Sequence, residues 1–133
     1  MSKKVLNPKD FTQIMGAYSH GITVDIGNSK IIFVTGQIAM DSKGEPVAPK
    51  DIKAQTEFIF QNIEKILGEA KASLDDVVKA VIYVKDISKF KEISAIRDKY
   101  FKISKPVSTL VEISNTVKEG CDIEIEVIAI KKL

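Results

Sequence analysis

The sequence predicts an α+β protein, one β-sheet with two helices packed on one of its faces. Two segments with apolar residues at helical spacing sit among several short segments of alternating apolar and polar residues. A chain of 133 residues, 44% hydrophobic and 29% charged, has the size and composition of one ordinary globular unit. No repeat, low-complexity tract or linker interrupts it, so residues 1–133 are read as a single domain.

Residues 1–16 carry no clear period and are read as a lead-in to the first strand. Ile22–Ile26 and Ile31–Thr35 flank the turn signal Gly27-Asn28-Ser29 and predict a β-hairpin, since Gly and Asn tolerate the positive φ of a tight turn. Gly36-Gln37 leave that strand, and Asp41 to Pro46 form a polar loop. Asp51 is placed to cap a long helix whose Ile52, Ile59, Ile63, Ile66 and Ala70 define a buried face. Val78, Ala80, Ile82 and Val84 alternate with Lys79, Val81, Tyr83 and Lys85, which predicts a third strand. Asp86 or Ser88 then caps a second helix, with Phe90, Ile93, Tyr100 and Phe101 facing inward. A strand from Val107 to Ile113 follows Pro106, and Ile123–Ile130 closes the order ββ-α-β-α-ββ.

The last strand carries a further expectation. One parity, Ile123, Ile125, Val127 and Ala129, is wholly apolar, and the other, Glu124, Glu126, Ile128 and Ile130, is half apolar. A sheet with water on its outer face shows a cleaner alternation. Burial of that face against other subunits accounts for the pattern, as does a central strand covered by loops.

Composition excludes several function classes. With 20 basic and 18 acidic side chains the net charge is +2, no electrostatic basis for binding nucleic acid or an anionic membrane. No apolar run approaches the roughly 20 residues that span a bilayer, and none follows the basic N-terminus, so a cytoplasmic protein is expected. The lone Cys121 cannot form an internal disulfide or build a zinc site alone, the lone His20 excludes a multi-histidine metal site, and no Gly-rich phosphate loop is present. Cys121 reads as a small buried thiol and His20 as a surface-loop imidazole, although a residue near neutral pKa can assist proton transfer. The abundance of Ile, Lys and Glu suits either a heat-adapted protein or an AT-rich genome.

Several segments together carry a resemblance. They are Val34-Thr35-Gly36-Gln37-Ile38; Gln55 with Asn62-Ile63; Asp76-Val77-Val78-Lys79 followed by Tyr83-Val84-Lys85-Asp86; Tyr100-Phe101 ahead of Pro106; and Ile123 through Ala129. In this order, from about Gly16 to Ile130, the chain resembles the RidA/YjgF family. The resemblance implies a chorismate-mutase-like fold assembled as a homotrimer, its sheets forming a central barrel with ligand clefts between neighbours. It also implies an enamine/imine deaminase, which hydrolyses 2-iminobutanoate, 2-iminopropanoate or 2-aminoacrylate to a 2-keto acid and ammonia without metal or bound cofactor. Two alternatives stand beside this activity: a non-catalytic trimer that binds a small metabolite, and a ribonuclease or translation inhibitor, as reported for some relatives.

Carried over residue by residue, the resemblance makes Glu124 the catalytic residue that positions water. Tyr18, Thr35, Gly36 and Gln37 then line the substrate cleft. Three positions depart from the deaminase pattern: Ser94 stands for an asparagine, Leu110 for a cysteine, and Ser108 for the arginine that binds the substrate carboxylate. The missing cation matters, because an imino acid presents a carboxylate that a guanidinium holds bidentately. Arg97, the only arginine in the chain, lies one helical turn after Ser94 and is expected on the buried side. It either supplies the lost clamp from another direction, or snorkels outward or pairs with a structural carboxylate such as Glu124 or Glu126.

Overall fold

The computed structural model describes residues 2–133. The chain forms strands β1 (Lys3–Leu6), β2 (Gly21–Ile26) and β3 (Ser29–Ile38), helix α1 (Ile52–Glu69), strand β4 (Val77–Val84), helix α2 (Phe90–Tyr100), and strands β5 (Val107–Glu112) and β6 (Ile123–Lys132). All six strands belong to one sheet in the order β1-β2-β3-β6-β4-β5, antiparallel except for the β4–β5 pair. The predicted α+β class and single two-helix layer are thus what forms.

The hairpin closes at Gly27, whose φ of +59° supplies the left-handed conformation at the first loop position, with Ile26 opposite Ser29. α1 starts where expected: the Asp51 carboxylate accepts from the Ala54 N–H at 3.0 Å and caps the first turn. Its inward face is wider than the predicted stripe, because Phe60 and Leu67 are fully buried beside Ile59, Ile63 and Ile66. Against them the sheet lays Ile32, Val34, Ala80, Ile82, Val84, Ile123, Ile125, Val127 and Ala129. Each such buried side chain contributes roughly 1.5–3 kcal/mol. Gln55, also buried, stitches α1 to the approach of β6. Its Nε2 donates to the Val47 and Gly120 carbonyls at 3.0 and 2.7 Å, and its Oε1 accepts from the Asp122 N–H at 3.0 Å.

Four expectations are corrected. The lead-in expected over residues 1–16, of which Met1 lies outside the described residues, contains β1, an edge strand paired with β2. In β4 a bulge between Val77 and Lys79 turns Val77 into the core and leaves Val78 exposed. The Asp86 side chain caps a short 3₁₀ turn, Ile87–Lys89, which runs into α2 without a separate side-chain cap. Finally, α2 buries Ile93 and Ile96, with Phe101 just beyond it, whereas Phe90 is exposed and Tyr100 half-buried.

The other sheet face carries no helix. Phe33, Ile130, Val78, Val5 and Val111 are exposed there or at its edges. Among the described residues no helix is long and apolar enough to cross a membrane.

Candidate functional site

Apart from Gln37, the anticipated site residues fall into two groups on opposite faces of the sheet. The first is built around a β-bulge. Between the pairs Val34–Val127 and Gln37–Ile125, two residues of β3, Thr35 and Gly36, face one residue of β6, Glu126. Bulges re-aim side chains at the margins of sheets, and here one lets the Glu124 carboxylate lie directly on backbone. A Cβ at Gly36 would stand 2.2 Å from Glu124 Oε2 and 2.9 Å from its Cδ, so only glycine admits this carboxylate. Burial, and next the negative charge of Glu126, push the Glu124 carboxyl above its ordinary range. Glu126 in turn accepts a hydrogen bond from the Tyr83 hydroxyl, and that bond is the main reason the Tyr83 pKa is raised.

The loop before β2 is fastened to the same bulge. The Thr35 N–H donates to the His20 carbonyl at 2.8 Å, and Thr35 Oγ1 donates to the Ser19 carbonyl at 2.5 Å. Tyr18, half exposed, therefore stands with Ser19, Ile22, Phe33 and Thr35 around a shallow hollow of about 260 Å³. Gln37 is buried on the helix side of the sheet, where its Nε2 donates to the Thr35 carbonyl at 2.9 Å and braces the bulge. His20 is not the surface imidazole expected. It is buried, packs edge-on against Phe11, shares a 2.9 Å hydrogen bond between Nε2 and the Thr12 carbonyl, and anchors the loop. Cys121 is the buried thiol expected, its Sγ donating to the Ala39 carbonyl at 3.3 Å.

The second group lies at the far edge of the sheet. Ser108, exposed, pairs with Ala80 of β4, and Arg97 emerges from the last turn of α2. The two line one open cleft of about 500 Å³ with Asp98, Phe101, Lys102, Lys105 and Pro106. Arg97 is neither buried nor paired with Glu124 or Glu126. Its partner is its neighbour Asp98, which accepts from Nε and Nη2 at 3.0 Å, and the Asp98 side chain is 69% exposed. An ion pair so accessible to water holds weakly. Ser94 lies half-buried one turn earlier, and Leu110 packs against the core.

The structure thus joins Tyr18, Thr35, Gly36 and Glu124, joins Arg97 to Ser108, and does not join the two groups within one chain. Three residues with a stake in these groups escaped sequence reasoning. Tyr83 shares a sheet face with both glutamates, which the alternation of β4 could have signalled. Lys102 and Lys105 gave no signal, because a turn with lysine at φ +43° just before a proline has none in sequence.

Comparison with known proteins bears on what such a chain is. The family model described as Endoribonuclease L-PSP matches residues 10–131. A RutC family protein of Pyrococcus abyssi is 41% identical over 99% of this chain and 100% of its own. Among solved structures, yeast Mmf1 superposes with a TM-score of 0.86 at 29% identity, covering 98% of this chain and 100% of its own. A protein of the conserved Rid family from Yersinia pestis gives 0.84 at 32%, over 96% and 98% of the two chains.

Proposed function

Because this chain belongs to the RidA/YjgF family, whose model spans nearly all of it, we propose that it hydrolyses a small imine or enamine in clefts between the subunits of a homotrimer. The observation that carries the reading is the Glu124 carboxylate lying on Gly36 at a bulge, with its proton affinity raised by burial. Hydrolysis of a 2-imino acid needs water delivered to the C=N carbon and protons moved between oxygen and nitrogen. Glu124 accepts a proton as the water oxygen bonds to carbon, and returns it to the nitrogen of the carbinolamine. Collapse of that intermediate passes the hydroxyl proton to the departing nitrogen, breaks the C–N bond and leaves a 2-keto acid and ammonia.

The separation of the two residue groups supports an intersubunit cleft. A chain whose acid and cation lie on opposite sheet faces completes a site when a neighbour's Arg97 edge meets its Glu124 rim. The uncovered apolar face, with Phe33 and Ile130 at its surface, supports the same assembly. Light scattering coupled to size exclusion is expected to give three times the 14.7 kDa chain mass, and a clean monomer at micromolar concentration would refute it.

A second reading is favoured by Ser108 alone: with the family's carboxylate-binding arginine replaced, the trimer binds a metabolite without turning it over. Freshly generated 2-iminobutanoate separates the two. Accelerated release of ammonia and keto acid supports hydrolysis, and background rates across charged and uncharged small imines leave binding. A ribonuclease reading, which the description of the matched family model suggests, is disfavoured by a net charge of only +2 and a single arginine.

A further inference from the structure

The cleft at the end of α2 carries more positive charge than one carboxylate needs. Arg97, Lys102 and Lys105 line it against a single acid, the exposed Asp98. Among the described residues neither Lys102 nor Lys105 forms an ion pair, although five other cations do. Lys105 is held at the cleft by its backbone. Its φ is +43°, a conformation that disfavours any residue with a side chain, and its N–H donates to the Phe101 carbonyl at 2.9 Å. In the same turn the Ser104 hydroxyl is buried without a hydrogen-bond partner. Three cations against one acid leave the cleft with a net positive charge, which favours an arriving anion.

We propose that this cleft takes a small metabolite bearing a dianionic phosphoryl group, held by Arg97, Lys102, Lys105 and the Ser108 hydroxyl. The inference rests on reading the cleft as the anion pocket of the proposed site, and it extends the ligand class beyond monocarboxylates. A planar carboxylate saturates one guanidinium fork and leaves both lysines without a partner. A phosphoryl group offers three acceptor oxygens and nearly two negative charges at neutral pH, which matches three separate cationic side chains and a hydroxyl lining one cleft. The cleft volume of about 500 Å³ falls in the range of small-molecule sites. Phe101 and Pro106 give it an apolar wall for the remainder of the ligand. Asp98, exposed and held only by Arg97, is free to swing away when the anion arrives.

The test is calorimetric titration of the full chain at fixed ionic strength and pH 7.5 with methyl phosphate, malonate and 2-oxobutanoate. Methyl phosphate is expected to bind tightest, about tenfold or more above 2-oxobutanoate. Replacing both lysines, Lys102→Gln with Lys105→Gln, should lower methyl phosphate affinity about tenfold and change 2-oxobutanoate binding less than twofold. Asp98→Asn should raise it several-fold. The remote pair Lys3→Gln with Lys4→Gln on β1 should leave it unchanged. Equal affinity for all three anions overturns the proposal, and so does tightest binding of malonate, which would assign the cleft to dicarboxylates. An equal loss in the remote pair also overturns it, since net charge would then explain the attraction. Circular dichroism confirms that each variant is folded. Imine turnover is scored separately: methyl phosphate binding without turnover refutes only the hydrolase reading, and turnover without methyl phosphate binding refutes only this one.

Discussion

The Glu124 rim and the Arg97 cleft hold charge by different means. At the rim a bulge and a glycine without Cβ seat one carboxylate against backbone, beside a hydrogen-bonded Tyr83–Glu126 pair. At the cleft, long side chains on an exposed turn and a helix end gather charge with little packing around them. The difference teaches where each is fragile. The rim depends on position and fails when an atom is added, whereas the cleft depends on the number of charges and responds to subtraction by degrees.

The sharpest test of that contrast is Glu124→Gln. Loss of the acid–base group is expected to lower kcat for 2-iminobutanoate by about 10²–10⁴-fold and to leave KM nearly unchanged. The same variant carries a pH signature. Burial first, and Glu126 next, raise the folded-state pKa of Glu124 above its unfolded value. The folded chain therefore binds this proton more readily than the unfolded chain, and the ionised carboxylate costs stability as pH rises through the raised folded value. Glu124→Gln should melt higher than wild type at pH 7, with the gain fading as pH falls and vanishing below the ordinary glutamate pKa of about 4.3, where the group is protonated in either state. Scanning calorimetry across that range reads it, and an unchanged or lower Tm at pH 7 would mean that the ionised carboxylate is not a burden to the fold.

Gly36→Ala probes the rim without touching a charge. The new Cβ displaces the end of a flexible side chain, so stability should change by less than about 1 kcal/mol. The carboxylate loses its seat, and turnover should fall about 100-fold. A variant that keeps wild-type kcat shows that the seat is unnecessary.

At the cleft the expected changes are smaller and fall on affinity. Ser108→Arg adds a guanidinium worth roughly 1.5–3 kcal/mol to a carboxylate, so affinity for 2-oxobutanoate should rise about tenfold or more. Arg97→Ala should lower it. If Ser108→Arg gains nothing and Arg97→Ala abolishes binding, Arg97 alone is the clamp. If neither matters, the cleft does not bind carboxylates.

The smallest effect concerns how the cleft is held to the body. Glu57 of α1 accepts hydrogen bonds from Lys99 and from the Tyr100 hydroxyl at the end of α2, and the Tyr100 ring stacks on Phe60 at 4.8 Å. Tyr100→Phe keeps the stacking and removes one hydrogen bond, so a loss of about 1 kcal/mol is expected, read by urea denaturation. A larger loss would make the cleft side less loosely built than its exposure implies.

Sequence alone reached the elements whose signals are local. Asp51 ahead of a helical stripe, Gly27-Asn28 between alternating runs, and the apolar parity of β6 all declare themselves within a few residues. β1 did not, because four residues beginning Lys3-Lys4 make a strand only through the neighbour they pair with. Nor did the Val77–Lys79 bulge, which shifts parity by one residue and exchanges Val77 for Val78 in the core. His20 looked like a surface residue because its partners, Phe11 and the Thr12 carbonyl, come from a loop without periodicity. In the site, Glu124, Thr35 and Gly36 were legible as a pattern and Arg97 as a lone cation. That Arg97 opens beside Ser108 and away from Glu124 depends on the sheet order and could not be read along the chain.

The sheet order also sets the sequence of events in folding. β6, the strand furthest along the chain, is inserted between β3 and β4. Until it arrives, β3 and β4 each present an open edge, and their pairing partners lie about forty to a hundred residues ahead. A ribosome making this protein therefore exposes one open edge of β3 for most of synthesis and one of β4 for its later part, and cooperative closure waits for the last ten residues of the sheet. Such a nascent chain invites pairing with its own siblings on the same message, at the very edges that β6 later seals.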